Sequence, residues 1–179
     1  MTFELRGYQA NIIELLRREI SQPKIAERKM RPILCLPTGS GKTVTFSHIA
    51  DKAILKGSRV SVVCHRTELL QQAKKTMEQY GVDMGAVSFG MVQTYARSPH
   101  KIPEAELVIV DECHTGNFRR YLNLLAERSP DTQVIGATAT PISASNKRPL
   151  WQSFDSVVSP VQISELIEDG YLSIPEYIK

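Results

Sequence analysis

Short runs of apolar residues alternate along this chain with longer segments in which apolar residues recur every three or four positions. The apolar runs lie at 33–36, 60–64, 87–92, 107–110 and 134–137. The segments with helical spacing lie between and before them, at 8–20, 44–53, 69–80 and 118–125. Strands that are apolar throughout bury both of their faces, as they do in a parallel sheet covered by helices. The alternation therefore predicts an α/β fold with helices on both faces of a parallel β-sheet.

Composition narrows the class of protein further. The chain has 179 residues, 42% of them hydrophobic and 23% charged, which is typical of a single soluble globular domain. No apolar run approaches the roughly 20 residues that cross a bilayer, and Glu4 and Arg6 occupy the place of a signal peptide's apolar segment. We therefore expect a soluble, cytoplasmic protein that is neither secreted nor bound to a membrane.

Three cysteines, Cys35, Cys64 and Cys113, are widely spaced and form no CxxC pair. Apolar neighbours surround the first two, so we expect buried, reduced thiols and no zinc site. The formal net charge of +3 is too small to indicate nucleic-acid binding by itself.

A glycine-rich segment at 37–43 stands between a predicted strand and a predicted helix, the setting that a phosphate-binding loop requires. Glycines let backbone amides close around phosphate oxygens, and the helix N-terminus adds positive potential. Lys42 would neutralise the β- and γ-phosphates, and Thr43 would offer its hydroxyl to Mg²⁺. Leu36 stands where the common eight-residue pattern has its first glycine. The predicted phosphate-binding residues are Thr38, Gly39, Ser40, Gly41, Lys42 and Thr43.

Two acidic residues, Asp111 and Glu112, directly follow the buried run at 107–110. Carboxylates are costly to place there unless a cation pairs with them. We expect Asp111 to hold Mg²⁺ and Glu112 to polarise the water that attacks the γ-phosphate, and the alternative is a pair of exposed acids at a strand end. If the strand stays extended through His114, alternate side chains point to opposite sides, which argues against a metal site at His114.

A second polar segment, 138–141, follows the apolar run at 134–137 and presents the hydroxyls of Thr138 and Thr140 before Pro141. Taken alone, it is typical of a strand that ends in a turn. The polar residues at 143–148 are expected to form a loop.

These motifs, taken in order, resemble the first motor domain of a superfamily-two helicase or translocase of the DExH branch. The matching segments are 5–9 for the adenine-reading glutamine motif, 37–43 for motif I, 62–72 for motif Ia, 92–94 for motif Ib, 111–114 for motif II and 138–141 for motif III. The resemblance covers nearly the whole chain. It implies a RecA-like, P-loop NTPase domain at 1–179 that uses ATP and Mg²⁺.

The resemblance also assigns roles to residues outside the phosphate loop. It implies that Arg6 and Gln9 contact the adenine edge, with a preference for ATP over GTP. It implies that Thr138 and Thr140 couple the state of the γ-phosphate to closure of a second domain.

Motifs Ia and Ib imply contacts of Arg66, Gln93 and Thr94 with the phosphates of one nucleic-acid strand. The span between Gln72 and Gln93 is short for the family and has no obvious extra strand and loop.

The closing segment at 163–172 resembles the end of this domain in RadD-like and related DNA-repair or phage helicases. In that family a second RecA-like domain follows and supplies an arginine finger. Its motifs are absent from this chain, so we expect a partial motor with weak hydrolysis of its own. DNA is the expected partner and RNA the alternative.

The leading hypothesis is the ATP-binding domain of a DNA helicase or translocase that couples ATP hydrolysis to movement on, or unwinding of, a duplex. The alternative is a nucleic-acid-binding module whose nucleotide pocket acts as a switch without useful hydrolysis. A GTPase or small-molecule kinase shares the phosphate loop, but 146–149 lacks the aspartate of a guanine-reading motif.

Overall fold

The computed structural model describes residues 4–25, 27–115, 118–142, 149–159 and 161–173. Within them, six strands form one sheet in the order β3-β2-β4-β5-β1-β6, and every pair of neighbours is parallel. The strands are β1 (Pro32–Cys35), β2 (Val60–Cys64), β3 (Val87–Met91), β4 (Leu107–Asp111), β5 (Gln133–Thr138) and β6 (Ser156–Val158). The predicted α/β fold with a parallel sheet is confirmed.

Six α-helices connect or flank these strands in the described residues. They are α1 (Gly7–Ile20), α2 (Lys42–Ile54), α3 (Thr67–Tyr80), α4 (Val92–Arg97), α5 (Phe118–Arg128) and α6 (Ile163–Glu168). Helices α4 and α6 and strand β6 have no counterpart in the sequence pattern, because elements of three to six residues are too short to show a period. None of the helices in the described parts of the chain has the length and hydropathy of a membrane span.

The sheet separates two apolar clusters, and β4 contributes to both. Leu107 and Ile109 lie in the cluster under α1, α2 and α3, whereas Val108 and Val110 lie in the cluster under α4 and α5. Burial of each such side chain stabilises the fold by about 1.5–3 kcal/mol. This two-sided burial is why the strands are apolar throughout.

All three cysteines are free and buried, as expected. Cys64 ends β2 inside the first cluster. Burial, reinforced by the negative charge of Asp111, raises the pKa of its thiol to about 12. The thiols therefore serve as small apolar side chains.

The carboxyl ends of the strands bring the predicted motifs to one edge of the sheet. Cys35 of β1 pairs with Thr138 of β5, and Asp111 of β4 pairs with Ala137 of β5. The loop after β1 and the acids after β4 therefore lie on either side of the end of β5. Ligands of open α/β sheets bind at this edge.

Candidate functional site

The loop between β1 and α2 takes its shape from two glycines in the left-handed region. Gly39 has φ 83° and Gly41 has φ 80°, and Gly41 is the N-cap of α2. A side chain at either position would be strained, which explains the glycines. Ser40 closes the loop by donating its hydroxyl to the Pro37 carbonyl at 2.6 Å. Because α2 begins at Lys42, the free amides of its first turn lie in the loop, where they favour an anion.

Lys42 joins this loop to the end of β4. Its Nζ lies 3.0 Å from Oδ1 of Asp111 and 2.5 Å from Oε1 of Glu112. The Lys42 and Asp111 side chains are only 11% and 7% exposed, so the pairing compensates charges that have lost most of their water. Burial opposes the charged lysine, but attraction by Asp111 and the hydrogen bond to Glu112 prevail and raise its pKa. Lys42 is therefore a fixed positive charge in the loop.

The backbone turns sharply at Glu112. Strand β4 ends at Asp111, and Glu112 has φ 50°, a left-handed conformation that costs a non-glycine residue about 1 kcal/mol or more. Oδ1 of Asp111 accepts a hydrogen bond from the Glu112 amide at 3.0 Å and supports the turn. The expectation of an extended strand through His114 is therefore wrong. Both carboxylates reach Lys42 because β4 ends at Asp111, three residues before His114.

His114 links Glu112 to Thr138, the last residue of β5. Its Nδ1 lies 3.3 Å from Oε2 of Glu112 and 2.7 Å from Oγ1 of Thr138. Thr138 in turn accepts a hydrogen bond from the Thr140 amide at 3.1 Å. A continuous series of polar contacts thus runs from Lys42 to Thr140. His114 was predicted only as the last residue of motif II, at 111–114, with no role of its own. Its contacts with Glu112 and Thr138 depend on the turn at Glu112, which sequence spacing does not reveal.

The start of α1 packs against the phosphate loop. Gln9 is 3% exposed, and its Nε2 donates to the carbonyls of Ser40 and Gly41, both at 3.3 Å. Its Oε1 accepts from the Arg6 amide at 2.9 Å, and the Tyr8 hydroxyl donates to the Ser40 carbonyl at 2.5 Å. The structure therefore places Arg6 and Gln9 beside the loop, with both amide hydrogens of Gln9 directed at loop carbonyls. Their contact with adenine stays a prediction.

The residues expected to hold Mg²⁺ supply only oxygen atoms. They are the Thr43 hydroxyl, in the first turn of α2, and the Asp111 carboxylate. No group of three or more His, Cys, Asp or Glu side chains that could hold a metal occurs in the described residues. Mg²⁺ bound with a nucleotide takes one or two protein oxygens, with phosphates and water completing its shell. This donor set fits that kind of site.

The residues expected to contact nucleic acid follow β2 and β3, on the far side of β4 from the phosphate loop. Cys64 pairs with Met91 at the ends of β2 and β3, which places Arg66 near Gln93 and Thr94. All three are exposed. Gln93 donates from Nε2 to the His65 carbonyl at 2.9 Å.

Residues 143–148 lie outside the described residues, so the loop expected there has no structural description. The same holds for most of the guanine-like segment at 146–149.

Two family models match the chain. The model for the res subunit of type III restriction enzymes matches residues 2–104, and the model for SWI2/SNF2 ATPases matches residues 79–179. Each covers more than half of the chain, and together they span nearly all of it.

Two curated proteins are similar in sequence. A 51.5 kDa protein of Lactococcus phage (isolate 7-9) is 30% identical over 141 residues, covering 79% of this chain and 31% of the phage protein. The putative mitochondrial ATP-dependent helicase irc3 of Schizosaccharomyces pombe is 28% identical over 177 residues, covering 85% of this chain and 29% of that protein. The chain thus spans about three tenths of the length of these relatives.

Solved structures share the fold at low sequence identity. The UvsW helicase from bacteriophage T4 matches with a TM-score of 0.65 and 15% identity, over 87% of this chain and 60% of that one. The type ISP restriction-modification enzyme LlaGI, in complex with a DNA substrate mimic, matches with a TM-score of 0.61 and 16% identity, over 94% of this chain and 21% of that one.

Proposed function

The chain belongs to the superfamily-two helicases and translocases as a first RecA-like domain, and we propose that it is the ATP-binding part of a nucleic-acid-dependent ATPase motor. Its substrate is ATP. Its work is movement along, or separation of, a nucleic-acid duplex.

One observation carries this proposal: Lys42 of the phosphate loop is held by both acids at the end of β4, Asp111 and Glu112. A single cation compensates two carboxylates, so a further cation would neutralise the remaining negative charge, while the free amides at the start of α2 favour an anion. ATP with Mg²⁺ supplies both charges at once. A glycine-shaped loop at a helix N-terminus, next to such a cluster, is suited to phosphate rather than to another anion.

The side chains divide the chemistry among them. Lys42 binds the β- and γ-phosphates, and Thr43 and Asp111 would hold Mg²⁺, which neutralises phosphate charge when bound. Glu112 orients the attacking water and accepts its proton. His114 contacts both Glu112 and Thr138, so a change at the γ-phosphate can reach the segment that ends at Thr140.

Nucleic acid would bind along the exposed residues Arg66, Gln93 and Thr94. Contacts of this kind, made to phosphates, position a strand without reading its sequence. We propose DNA as the partner, supported by the DNA substrate mimic bound to the similar fold of LlaGI. RNA is the alternative.

A second RecA-like domain would complete the site with an arginine finger. The greater length of the relatives supports this part of the proposal. Because such a finger contributes about 10³ to 10⁵ in rate, this chain alone should bind ATP and hydrolyse it slowly.

Steady-state release of phosphate from ATP and Mg²⁺ tests the proposal. It is measured for this chain, and for a form that carries a second RecA-like domain, with single-stranded DNA, duplex DNA and RNA in turn. We expect slow turnover by the chain and turnover stimulated by DNA in the longer form. Nucleic-acid binding that is indifferent to ATP, with no hydrolysis by either form, would favour a binding module instead.

A further inference from the structure

A cavity of about 480 Å³ lies between α1 and α2, at the edge of the sheet opposite to the phosphate loop. Its wall includes Ser58, which precedes β2, and Leu107, which begins β4, whereas the phosphate loop follows the carboxyl end of β1. The cavity is therefore separate from the nucleotide site. We name it the basic groove, because four of the described residues that line it are cations: Arg17, Lys29, Lys52 and Lys56.

The floor of the basic groove is apolar. Leu16 of α1 and Ile135 of β5 are buried at its base, and Ile20, Ile49 and Ala53 are half-buried beside them. Ile49 and Ala53 are four residues apart and so share one face of α2. A groove between two helices with such a floor is the form that receives the apolar face of an amphipathic helix.

The charge of the basic groove is not compensated within the protein. Among the described residues that line it, one is acidic, Glu106, and its carboxylate is held by Arg59, which donates from its amide at 2.7 Å and from Nη2 at 2.9 Å. Arg17 and Lys52 each pair with an acid of their own helix. Lys29 and Lys56 have no ion pair among the residues that the structure describes.

We infer that the basic groove binds an acidic amphipathic helix of a partner protein. The apolar residues of that helix cover the floor, and its carboxylates face the four cations. A nucleic-acid strand would use the cations and leave the apolar floor uncovered. A second copy of this chain is disfavoured, since each copy carries a formal net charge of +3. The inference does not depend on the proposed function, because it uses no residue of the nucleotide site.

Fluorescence anisotropy with three labelled probes tests the inference on this chain. The first probe is a synthetic helix of about 16 residues with leucine at every third or fourth position and glutamate on both sides of that face. The second is a peptide of the same composition in scrambled order, and the third is single-stranded DNA. Comparison of the two peptides separates the match to an amphipathic helix from attraction by charge alone.

Two variants alter the basic groove, one by charge and one by shape. A double variant, Lys29→Glu with Lys56→Glu, reverses the two cations that have no ion pair, and Ala53→Gln places a longer, uncharged side chain on the floor. Lys75→Glu is the matched control, because Lys75 is an exposed lysine of α3 outside the basic groove.

We expect the unaltered chain to bind the ordered peptide about tenfold more tightly than the scrambled one. The double variant should weaken binding of the ordered peptide about tenfold, and Ala53→Gln about fivefold. Lys75→Glu should bind it within about twofold of the unaltered chain. A retained urea unfolding midpoint shows that each variant is folded.

Four results would overturn the inference. The first is no binding of the ordered peptide by the unaltered chain, and the second is equal affinity for the two peptides. Loss of DNA binding in the double variant, with peptide binding retained, would assign the cations to nucleic acid. Self-association in sedimentation that Ala53→Gln abolishes would assign the basic groove to a second copy. ATP hydrolysis is measured separately, so none of these results bears on the proposed function.

Discussion

Two parts of one sheet edge differ in how far their side chains are already held in place. At the nucleotide end, after β1, β4 and β5, Lys42 is bound to Asp111 and Glu112, and Gln9 is bound to the loop. At the outer end, after β2 and β3, Arg66 and Gln93 are exposed, and the Gln93 side chain donates to the backbone at His65.

The difference follows from burial. Charges at the nucleotide end have lost water, so each must have a partner within the protein. Arg66 at the outer end is exposed and keeps its water, which suits a contact with the phosphates of a nucleic-acid strand. A motor that binds ATP in one geometry and moves along many phosphates needs a preformed nucleotide end and an open outer end.

The largest effect is expected from Glu112→Gln at the nucleotide end. The amide cannot accept the proton of the attacking water, so turnover in the form with a second domain should fall about 10²- to 10⁴-fold while ATP binding persists. Phosphate release measures turnover, and calorimetry measures binding. Glu106→Gln is the control, because Glu106 lies next to the start of β4, at the opposite edge of the sheet from Glu112. Equal turnover in the unaltered protein and Glu112→Gln would remove Glu112 from the chemistry.

The second-largest effect is expected at Lys42, whose positive charge pairs with both acids at the nucleotide end. Lys42→Ala removes the cation that faces the phosphates and should weaken ATP binding about a hundredfold. Titration with ATP and Mg²⁺ measures it. Lys52→Ala is the matched control on the same helix, since Lys52 is half-exposed and pairs only with the adjacent Asp51 in the described residues. Similar affinities for the two variants would contradict a role for Lys42 in phosphate binding.

Alanine substitutions at Gly41 and Gly57 test how tightly α1 packs against the phosphate loop. Gly41 and Gly57 have similar φ values, 80° and 85°, but a Cβ at Gly41 would meet Nε2 of Gln9 at 2.6 Å, whereas one at Gly57 meets nothing. Gly57→Ala should lower the free energy of unfolding by about 1 kcal/mol, and Gly41→Ala by roughly 2 kcal/mol, because it adds the clash to the same strain. Urea unfolding measures both. Equal losses would indicate that the Gln9 contact is loose.

The smallest effect is expected at the outer end. Arg66→Ala should weaken single-stranded DNA binding a few-fold and reduce the slope of log affinity against log salt by about 0.7, the loss of one phosphate contact. The free energy of unfolding should change by less than about 0.5 kcal/mol. Fluorescence anisotropy across a salt series measures the slope, with Arg18→Ala, on the exposed face of α1, as the control. An unchanged slope in Arg66→Ala would place the DNA path elsewhere.

The parts of the molecule that could be predicted from sequence are those where a local rule operates. Burial on both faces requires strands such as β4 to be apolar throughout, and positive φ requires the glycines at 39 and 41. The role of the acids at the end of β4 was predicted because buried carboxylates need a cation. The lysine that pairs with them in this structure was predicted too, but only as a ligand for phosphate.

The rest depends on contacts that sequence spacing does not encode. The left-handed turn at Glu112 redirects its side chain toward Lys42 and brings His114 to Thr138. Tyr171 meets Arg6 only because the chain returns to the loop after α6. Strand β6 is three residues long and half-exposed at Val157, so it carries no apolar run.

A crystal structure of this chain with Mg²⁺ and a non-hydrolysable ATP analogue would show whether the loop at 37–43 is the phosphate site. We expect triphosphate density enclosed by residues 38–43, with Lys42 moved from Glu112 to the phosphates and the metal beside Thr43 and Asp111. A nucleotide bound elsewhere on the molecule, or a loop that stays empty at saturating analogue with Lys42 still on both acids, would contradict it.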